Sequence, residues 1–573
     1  MILQRLVERF RNEGGSASGY QRKAIEFVLV LDDCGRLVGV DDTRTGTGRA
    51  QRAREFDVPR EVKRASQVAS NLLWDNVTYV FGFVPIAKQA AAARDLSARG
   101  AACRECFIER IRRELGSVAS DRGIAAVLRF LESAGPSSLV GDSHWDEIAV
   151  GKGYLSFRLA DELGLVCERP AVRSAVLASS GSGVEASARC LVTGEVGSVA
   201  RLHGSIKGVD GAQSSGASLI SFNLRAFESY GKQQGSNAPV SRAAEFAYTS
   251  VLNRLLARDS RQKLRVGDAT AVFWAEKPTP CEDWFRDLFD LAQSPERTES
   301  SVALRTLYLS PWTGVAPQEA DLRFCVLGLS PNAARLAVRF WYDGTVREIS
   351  ENVGRHFQDL ELESAEESHT PRPLRRLLRS IAVLGKDENV PPNLAGAIMS
   401  AILANTPYPR SLLEAAVRRS RAERQVGLDR ASLIKAVLTR QARRNQRAER
   451  EVGVSLDPSN LNVGYRLGRL FAVLEQIQWY AQGDSNIRER YYGAASAHPA
   501  VVLPQLMKLK NHHLAKLDNR GLAVNLEKRI GEILDGIEDF PRRLALDDQG
   551  RFAVGYYHER TRAFSKKNDS PQE

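Results

Sequence analysis

The chain has 573 residues, 43% of them apolar and 26% charged, with 44 Gly and 22 Pro. That composition excludes a collagen, a coiled-coil rod and wholesale disorder, and the length predicts three or four domains at roughly 150 residues each. The 80 Lys and Arg exceed the 69 Asp and Glu by 11, the sign expected of a protein with a polyanionic partner. No apolar run approaches the ~18 residues of a membrane span. Seven cysteines scattered at 34, 103, 106, 167, 190, 281 and 325 argue against a disulfide framework and for a reduced, cytoplasmic setting.

MILQRLVERF, at the start, sets Arg5, Glu8 and Arg9 among apolar positions and predicts a short amphipathic helix rather than a signal peptide. Ile25, Phe27, Leu29 and Leu31 then alternate with other residues, Asp32-Asp33-Cys34-Gly35 supplies turn chemistry, and Leu37 to Val40 resumes, which predicts a hairpin over 24–40. Thr43 to Arg54 is polar and loop-like. So is VPREVKRASQVASNLLWDN, which carries Lys63, Arg64, Asn71 and Asn76. Residues 86–134 predict two or three helices with Arg/Glu pairs three and four apart. Cys103 and Cys106 fall among them, with no second Cys/His pair at zinc-site spacing.

From Cys190 the chain alternates short Val/Leu runs with Gly, Ser and Asp, and small residues dominate Gly208 to Ser218. A helix is predicted over Ala243 to Leu256, a strand over Thr270 to Ala275, and a strand pair over Phe324 to Leu329 and Arg335 to Tyr342. An Asp343-Gly344 turn should follow, then a helix with Ile349, Val353, Phe357 and Leu360 on one face. Acidic Glu361 to Glu367 reads as a linker. Beyond Pro371 strand signals stop, and helices are predicted near 461–481, 500–518 and 523–537. The tail SKKNDSPQE should be disordered. The fold class is therefore α+β, with mixed N-terminal and middle regions ahead of an all-α C-terminal bundle. The expected divisions are 1–190, 191–365, a basic helical region at 366–455, a bundle at 456–565 and a tail at 566–573.

Where the charge lies is more informative than its sum. Pro371 to Arg450 holds 17 Lys and Arg against 6 Asp and Glu, so this stretch alone accounts for the net excess. A solvated helix face usually interleaves Glu with Lys or Arg, whereas RRSR at 418–421 and RRNQR at 443–447 do not. Arg418, Arg419, Arg421, Arg443, Arg444 and Arg447 are therefore candidates for strand phosphates.

Catalytic signals are weak. The sequence has no G-x-x-x-x-G-K-[ST], no G-x-G-x-x-G after a strand, no H-E-x-x-H and no G-x-S-x-G. Its eight histidines are far apart except His512-His513, and helical neighbours about 100° apart chelate one metal poorly. No cofactor or metal is expected. Two segments instead concentrate neutral hydrogen-bonding groups: Lys207 to Gly216, with Gln213, Ser214 and Ser215, and Ser229 to Asn237, with Lys232, Gln233 and Gln234. Gly permits close approach to a ligand, and Gln, Asn and Ser offer donors and acceptors to bases or phosphates. Ordinary loop chemistry accounts for the same residues equally well.

At these segments the sequence resembles a family. FVLVLDDCGRLVGVDD, SNLLWDN, CLVTGEVGSVARLHGSIKGVDGAQSSGASLISFN, AFESYGKQQGSNAPVS, LSPNAARLAVRFWYDGTVREISENVGRHFQDLEL and YRLGRLFAVLEQIQ are similar, in order, to the large subunit of the type I-C CRISPR Cascade complex. The resemblance implies a non-enzymatic antiviral surveillance subunit. It would recognise a protospacer-adjacent motif in duplex DNA, aid duplex opening and stabilise the R-loop while guide RNA pairs with the target. Implied partners are target duplex DNA, guide RNA, a repeated backbone subunit, a handle-binding subunit and a recruited helicase-nuclease. A small subunit made from the same gene's C-terminal region is implied as well, starting by sequence at Val452 or Val454. In RNA-guided recognition base pairing reads the target while protein reads the adjacent motif. Asn71, Asn76, Lys207, Gln213, Ser214, Ser215 and Gln234 are candidate motif readers, with Lys63, Arg64, Lys232, Gln233 and Asn237 beside them. Two other classes remain open: a metal-dependent nuclease with a dispersed carboxylate site, and a helical protein–protein scaffold.

Overall fold

The computed structural model describes residues 2–13, 19–46, 51–62, 68–85, 93–133, 143–151, 153–179, 187–290, 320–364, 372–391, 393–447 and 452–565. Lys63, Arg64 and the 566–573 tail lie outside the described residues. The chain forms two compact units, one built mainly from 3–204 and 221–251, the other from 205–220 and 252–573. Each combines a sheet with helices, so the α+β class holds.

The first unit runs α1 (Ile2–Asn12), β1 (Tyr20–Ala24), β2 (Phe27–Leu31), β3 (Leu37–Asp42), β4 (Glu55–Pro59), β5 (Trp74–Asp75), α2 (Val77–Phe81), α3 (Ala93–Leu115) and α4 (Arg122–Ser133). It continues with α5 (Trp145–Ala149), β6 (Leu155–Leu159), α6 (Pro170–Ser179), β7 (Ser187–Arg189), β8 (Val196–Ser198) and α7 (Arg242–Leu255), whose last turn belongs to the second unit. The predicted hairpin is β2–β3. Asp32 Oδ1 accepts from the N–H of Cys34 (3.0 Å) and of Arg36 (2.8 Å), and Gly35 takes φ 78° in the turn. The alternation expected of β2 gives way to burial of all five residues, because β2 is a central strand of the order β3-β2-β6-β5. Its pairing with β6 is parallel, Phe27 opposite Leu155 through Leu31 opposite Leu159. A strand covered on both faces reads as a continuous apolar run.

In the second unit β9 (Lys263–Val266), β10 (Ala269–Ala275), β11 (Arg323–Asn332) and β12 (Arg335–Thr345) form an antiparallel sheet in the order β12-β11-β10-β9, with α8 (Pro280–Asp290) between β10 and β11 in sequence. The expected Asp343-Gly344 turn is corrected: both residues lie inside β12, opposite Cys325 and Phe324. The reversal between the two strands falls at Ala333, φ 52°, between Asn332 and Arg335, within the gap left by the expected strand pair. Turn-favouring residues yield to sheet pairing when the opposing strand is long enough. The next helix, α9 (Val346–Leu360), starts on a reciprocal capping box of Thr345 and Glu348 and buries Ile349, Val353, Phe357 and Leu360.

Among the described residues beyond it the regular elements are all helical, as expected: α10 (Leu374–Ile381), α11 (Leu394–Leu403), α12 (Arg410–Glu423), α13 (Leu428–Arg444), α14 (Val463–Gln482), α15 (Ile487–Ala495), α16 (Pro499–Ala515), α17 (Arg520–Leu534) and α18 (Leu546–Ser565). The tightest helix pair is α14 with α18. A Cβ added at Gly464, Gly468 or Gly555 would overlap the backbone carbonyl of Asp548, Phe552 or Tyr465 respectively, so three glycines set how closely the two backbones approach. One continuous apolar core extends from Leu264 on β9 to Tyr556 on α18, binding the sheet, α12–α13 and the C-terminal helices together.

Candidate nucleic-acid interface

Four candidate motif readers are brought together on one loop of the second unit. Ile206 and Ala217 exchange N–H to carbonyl bonds (2.8 and 2.9 Å), which closes residues 207–216 at their base. Ile206, Val209 and Ala217 are buried and anchor the loop. Lys207 N–H donates to Asn253 Oδ1 (2.8 Å), Asp210 N–H to Thr270 Oγ1 (2.9 Å) and Lys263 Nζ to the Gly208 carbonyl (2.6 Å). Gly208, Gly211 and Gly216 take φ of 85°, 78° and 93°, the region open to Gly. A Cβ at Gly216 would come within 2.9 Å of Ser205 Cβ. With the backbone held this way, Lys207, Gln213, Ser214 and Ser215 are exposed. Asn253 and Lys263, which hold the loop, carry no signal in the sequence, because bonds to residues some 46 and 55 positions away leave no local motif.

The 229–237 segment belongs to the first unit and divides by role. Lys232 and Gln233 are exposed, while Gln234 and Asn237 are half-buried. Asn237 Oδ1 accepts from Ser229 N–H (3.0 Å), and its Nδ2 donates to the Gln234 carbonyl (2.9 Å). Asn237 therefore ties its own loop together. Gly235 N–H donates to the Arg201 carbonyl (3.1 Å), and a Cβ there would overlap the Ala200 carbonyl. At the tip, Lys232 N–H returns to the Ser229 carbonyl (3.0 Å) across Tyr230 and Gly231, with φ of 52° and 69°. Left-handed backbone costs a side chain such as tyrosine about 1–2 kcal/mol.

Asn71 and Asn76 are engaged with the backbone of the first unit. Asn71 is 1% exposed; its Oδ1 accepts from Val62 N–H (2.9 Å) and its N–H donates to Asp75 Oδ2 (2.8 Å). Asn76 is the N-cap of α2, accepting from Thr78 N–H (3.0 Å). The side-chain oxygen of each thus accepts a backbone N–H, and Asn71 is buried where Asn76 is half-buried.

The six arginines sort the same way. Arg419 pairs with Glu423, which also holds Arg430. Burial raises the Glu423 carboxyl and the two guanidiniums more than offset it, leaving it below its ordinary range. Arg443 Nη2 lies 2.9 Å from Asp359, whose other oxygen takes Arg440 at 2.6 Å in a buried pair. Arg418, 65% exposed, has only Glu414 at 3.8 Å. Arg421, Arg444 and Arg447 are exposed and make no side-chain ion pair among the described residues. Four of the six are thus exposed without a close ion pair, in two groups. α12 and α13 pack together across the connection 424–427, which makes them antiparallel neighbours. Arg418 and Arg421 sit toward one end of the hairpin and Arg444 and Arg447 at the other, about 20 Å apart at 1.5 Å per residue of α13.

Among the described residues no cluster of three or more His, Cys, Asp or Glu is placed to hold a metal ion, and no helix is long and apolar enough to cross a membrane. No curated protein matches the sequence. The sequence does match the family described as CRISPR-associated protein (Cas_Csd1), over residues 3–564. That span takes in both loops and all six arginines, and the chain therefore belongs to the Csd1 family, the large subunits of type I-C CRISPR Cascade complexes.

Proposed function

We propose that this chain reads the protospacer-adjacent motif with the 207–216 loop and holds DNA strands along α12–α13, without catalysing a reaction itself. The observation that carries the reading is the closed loop. Its backbone is held by Asn253, Thr270 and Lys263 while Lys207, Gln213, Ser214 and Ser215 remain exposed. A small rigid loop tipped with amide and hydroxyl groups suits the minor groove, where A·T is told from G·C by acceptors and one donor. Arginines that meet phosphates fix position but carry no sequence information. In this reading the chain works in the cytoplasm with guide RNA, the repeated backbone subunit, the handle-binding subunit and a helicase-nuclease that it recruits.

The test is a reconstituted complex assayed on motif-bearing duplex and on the same target pre-opened as a bubble. Gln213→Ala should bind the duplex about ten- to a hundredfold more weakly, from the roughly 1–3 kcal/mol that one base pair's recognition supplies, and bind the bubble almost as well as the parent. Equal weakening on both substrates would remove the motif-reading role. Metal-dependent cleavage by the purified chain, abolished by one carboxylate substitution, would favour the nuclease reading. Absence of salt-dependent DNA binding would favour the scaffold.

A further inference from the structure

We infer that Tyr230 is a nucleobase-stacking residue, displayed on a rigid tip for an unpaired base; this rests on the reading that the chain binds opened DNA. Its side chain is 97% exposed, so the ring contributes almost nothing to the apolar core. Its φ of 52° together with 69° at Gly231 and the Lys232-to-Ser229 bond make a two-residue turn with both central residues left-handed. Such turns select Asn, Asp or Gly at the first central position. A bulky aromatic there is disfavoured by the backbone and unrewarded by packing, a combination that concentrates at ligand-contacting positions.

The loop beneath it is not slack. Asn237 bridges Ser229 and Gln234, and Gly235 is seated against Ala200 and Arg201 where no other residue fits. The ring is therefore held out from a fixed base rather than carried on a floppy segment, and little ordering entropy remains to be lost on binding. Exposed Lys232 and Gln233 follow directly, and exposed Arg225 precedes; Glu228 is the one acid between Arg225 and Lys232. An aromatic face beside cations and an amide matches a base with its flanking phosphates, the pattern of single-strand platforms.

The test uses the full complex and 2-aminopurine placed at successive positions of a bubble target. Tyr230→Ala should weaken bubble binding by about 5- to 150-fold and abolish quenching at one position, while Tyr230→Phe and Tyr230→Trp retain both. Tyr230→Gly relieves the backbone and removes the ring. It should weaken binding like Tyr230→Ala while the chain melts no lower than the parent. Wild-type binding by Tyr230→Ala would overturn the inference. So would a Tyr230→Phe defect equal to that of Tyr230→Ala, which would put the hydroxyl in place of the ring. Loss of other subunits on copurification would assign Tyr230 to a protein interface instead. If the parent complex itself binds no DNA, the underlying reading fails before any variant is compared.

Discussion

Replacing Arg418, Arg421, Arg444 and Arg447 together by Ala removes the four of these six arginines that make no close ion pair while sparing the two that are tied to carboxylates. Each single-strand phosphate left without its arginine should reduce the slope of log affinity against log salt by about 0.7, so the quadruple variant should be flatter by about 2.8. Between 50 and 200 mM salt, the affinity of the parent should then fall about fiftyfold further than that of the variant. Because the two pairs lie about 20 Å apart along α13, the Arg418/Arg421 and Arg444/Arg447 double variants should each account for about half, additively. Arg419→Ala and Arg443→Ala serve as internal contrasts, since Glu423 keeps Arg430 and Asp359 keeps Arg440. They should leave the slope alone and reduce stability by about 1 kcal/mol or less, as partly exposed ion pairs do. Fluorescence anisotropy of a labelled bubble across a salt series reads all of this. A quadruple variant with the parent's slope would refute the phosphate assignment and turn this face toward protein or solvent.

Two further predictions concern the fold that carries these surfaces. Burial holds the His558 imidazole at about 4, below its ordinary 6.5, beside the Tyr465 hydroxyl at 2.8 Å. Between those values the unfolded chain takes up a proton that the folded chain refuses, so stability should fall as pH drops from 6.5 to 4, by about 3 kcal/mol at the acid end. Urea midpoints across that range should decline less steeply for His558→Gln than for the parent, and identical slopes would refute the assignment. Gly468→Ala should lower the melting temperature, because its Cβ overlaps the Phe552 carbonyl and overpacking costs about 1–3 kcal/mol. Gly531→Ala on α17, where a Cβ meets nothing within 4 Å, should leave it unchanged or raise it, and a comparable drop in both variants would remove the argument.

What is legible in the sequence is whatever a local pattern encodes. Asp32 and Gly35 announce the β2–β3 turn, and the spacing of Ile349, Val353, Phe357 and Leu360 announces α9. The exposed loop at 207–216 is legible from its glycines and amides, because turn chemistry and exposure share those residue types. Pairings over long separations are not legible. FVLVL does not reveal that β6, more than 120 residues later, lies parallel to it. Asn71 and Asn76 carry the amides of a reader, and nothing local announces that their side-chain oxygens accept backbone N–H groups. RRSR and RRNQR likewise do not announce which arginine a distant carboxylate will claim: Asp359 takes Arg443 from 84 positions away. Helix α18 gives no clear signal either, because its glycine contacts with α14 and its alternation of aromatic with charged residues acquire meaning only against a partner.

The position of α18 bears on any shorter product of the same gene. This helix is gripped from two sides, by α14 through the glycine contacts and by the α12–α13 hairpin, whose Leu413, Ile434 and Leu438 lie against the backbone at Gly550. A polypeptide beginning at Val452 or Val454 would retain the first grip and forfeit the second. It would reach the cell with a bare strip on α18 shaped to receive a helical hairpin. In such a fragment that strip would be uncovered unless a partner took the place of α12–α13. Full-length copies, which already fill that strip with their own chain, would not compete for the same berth.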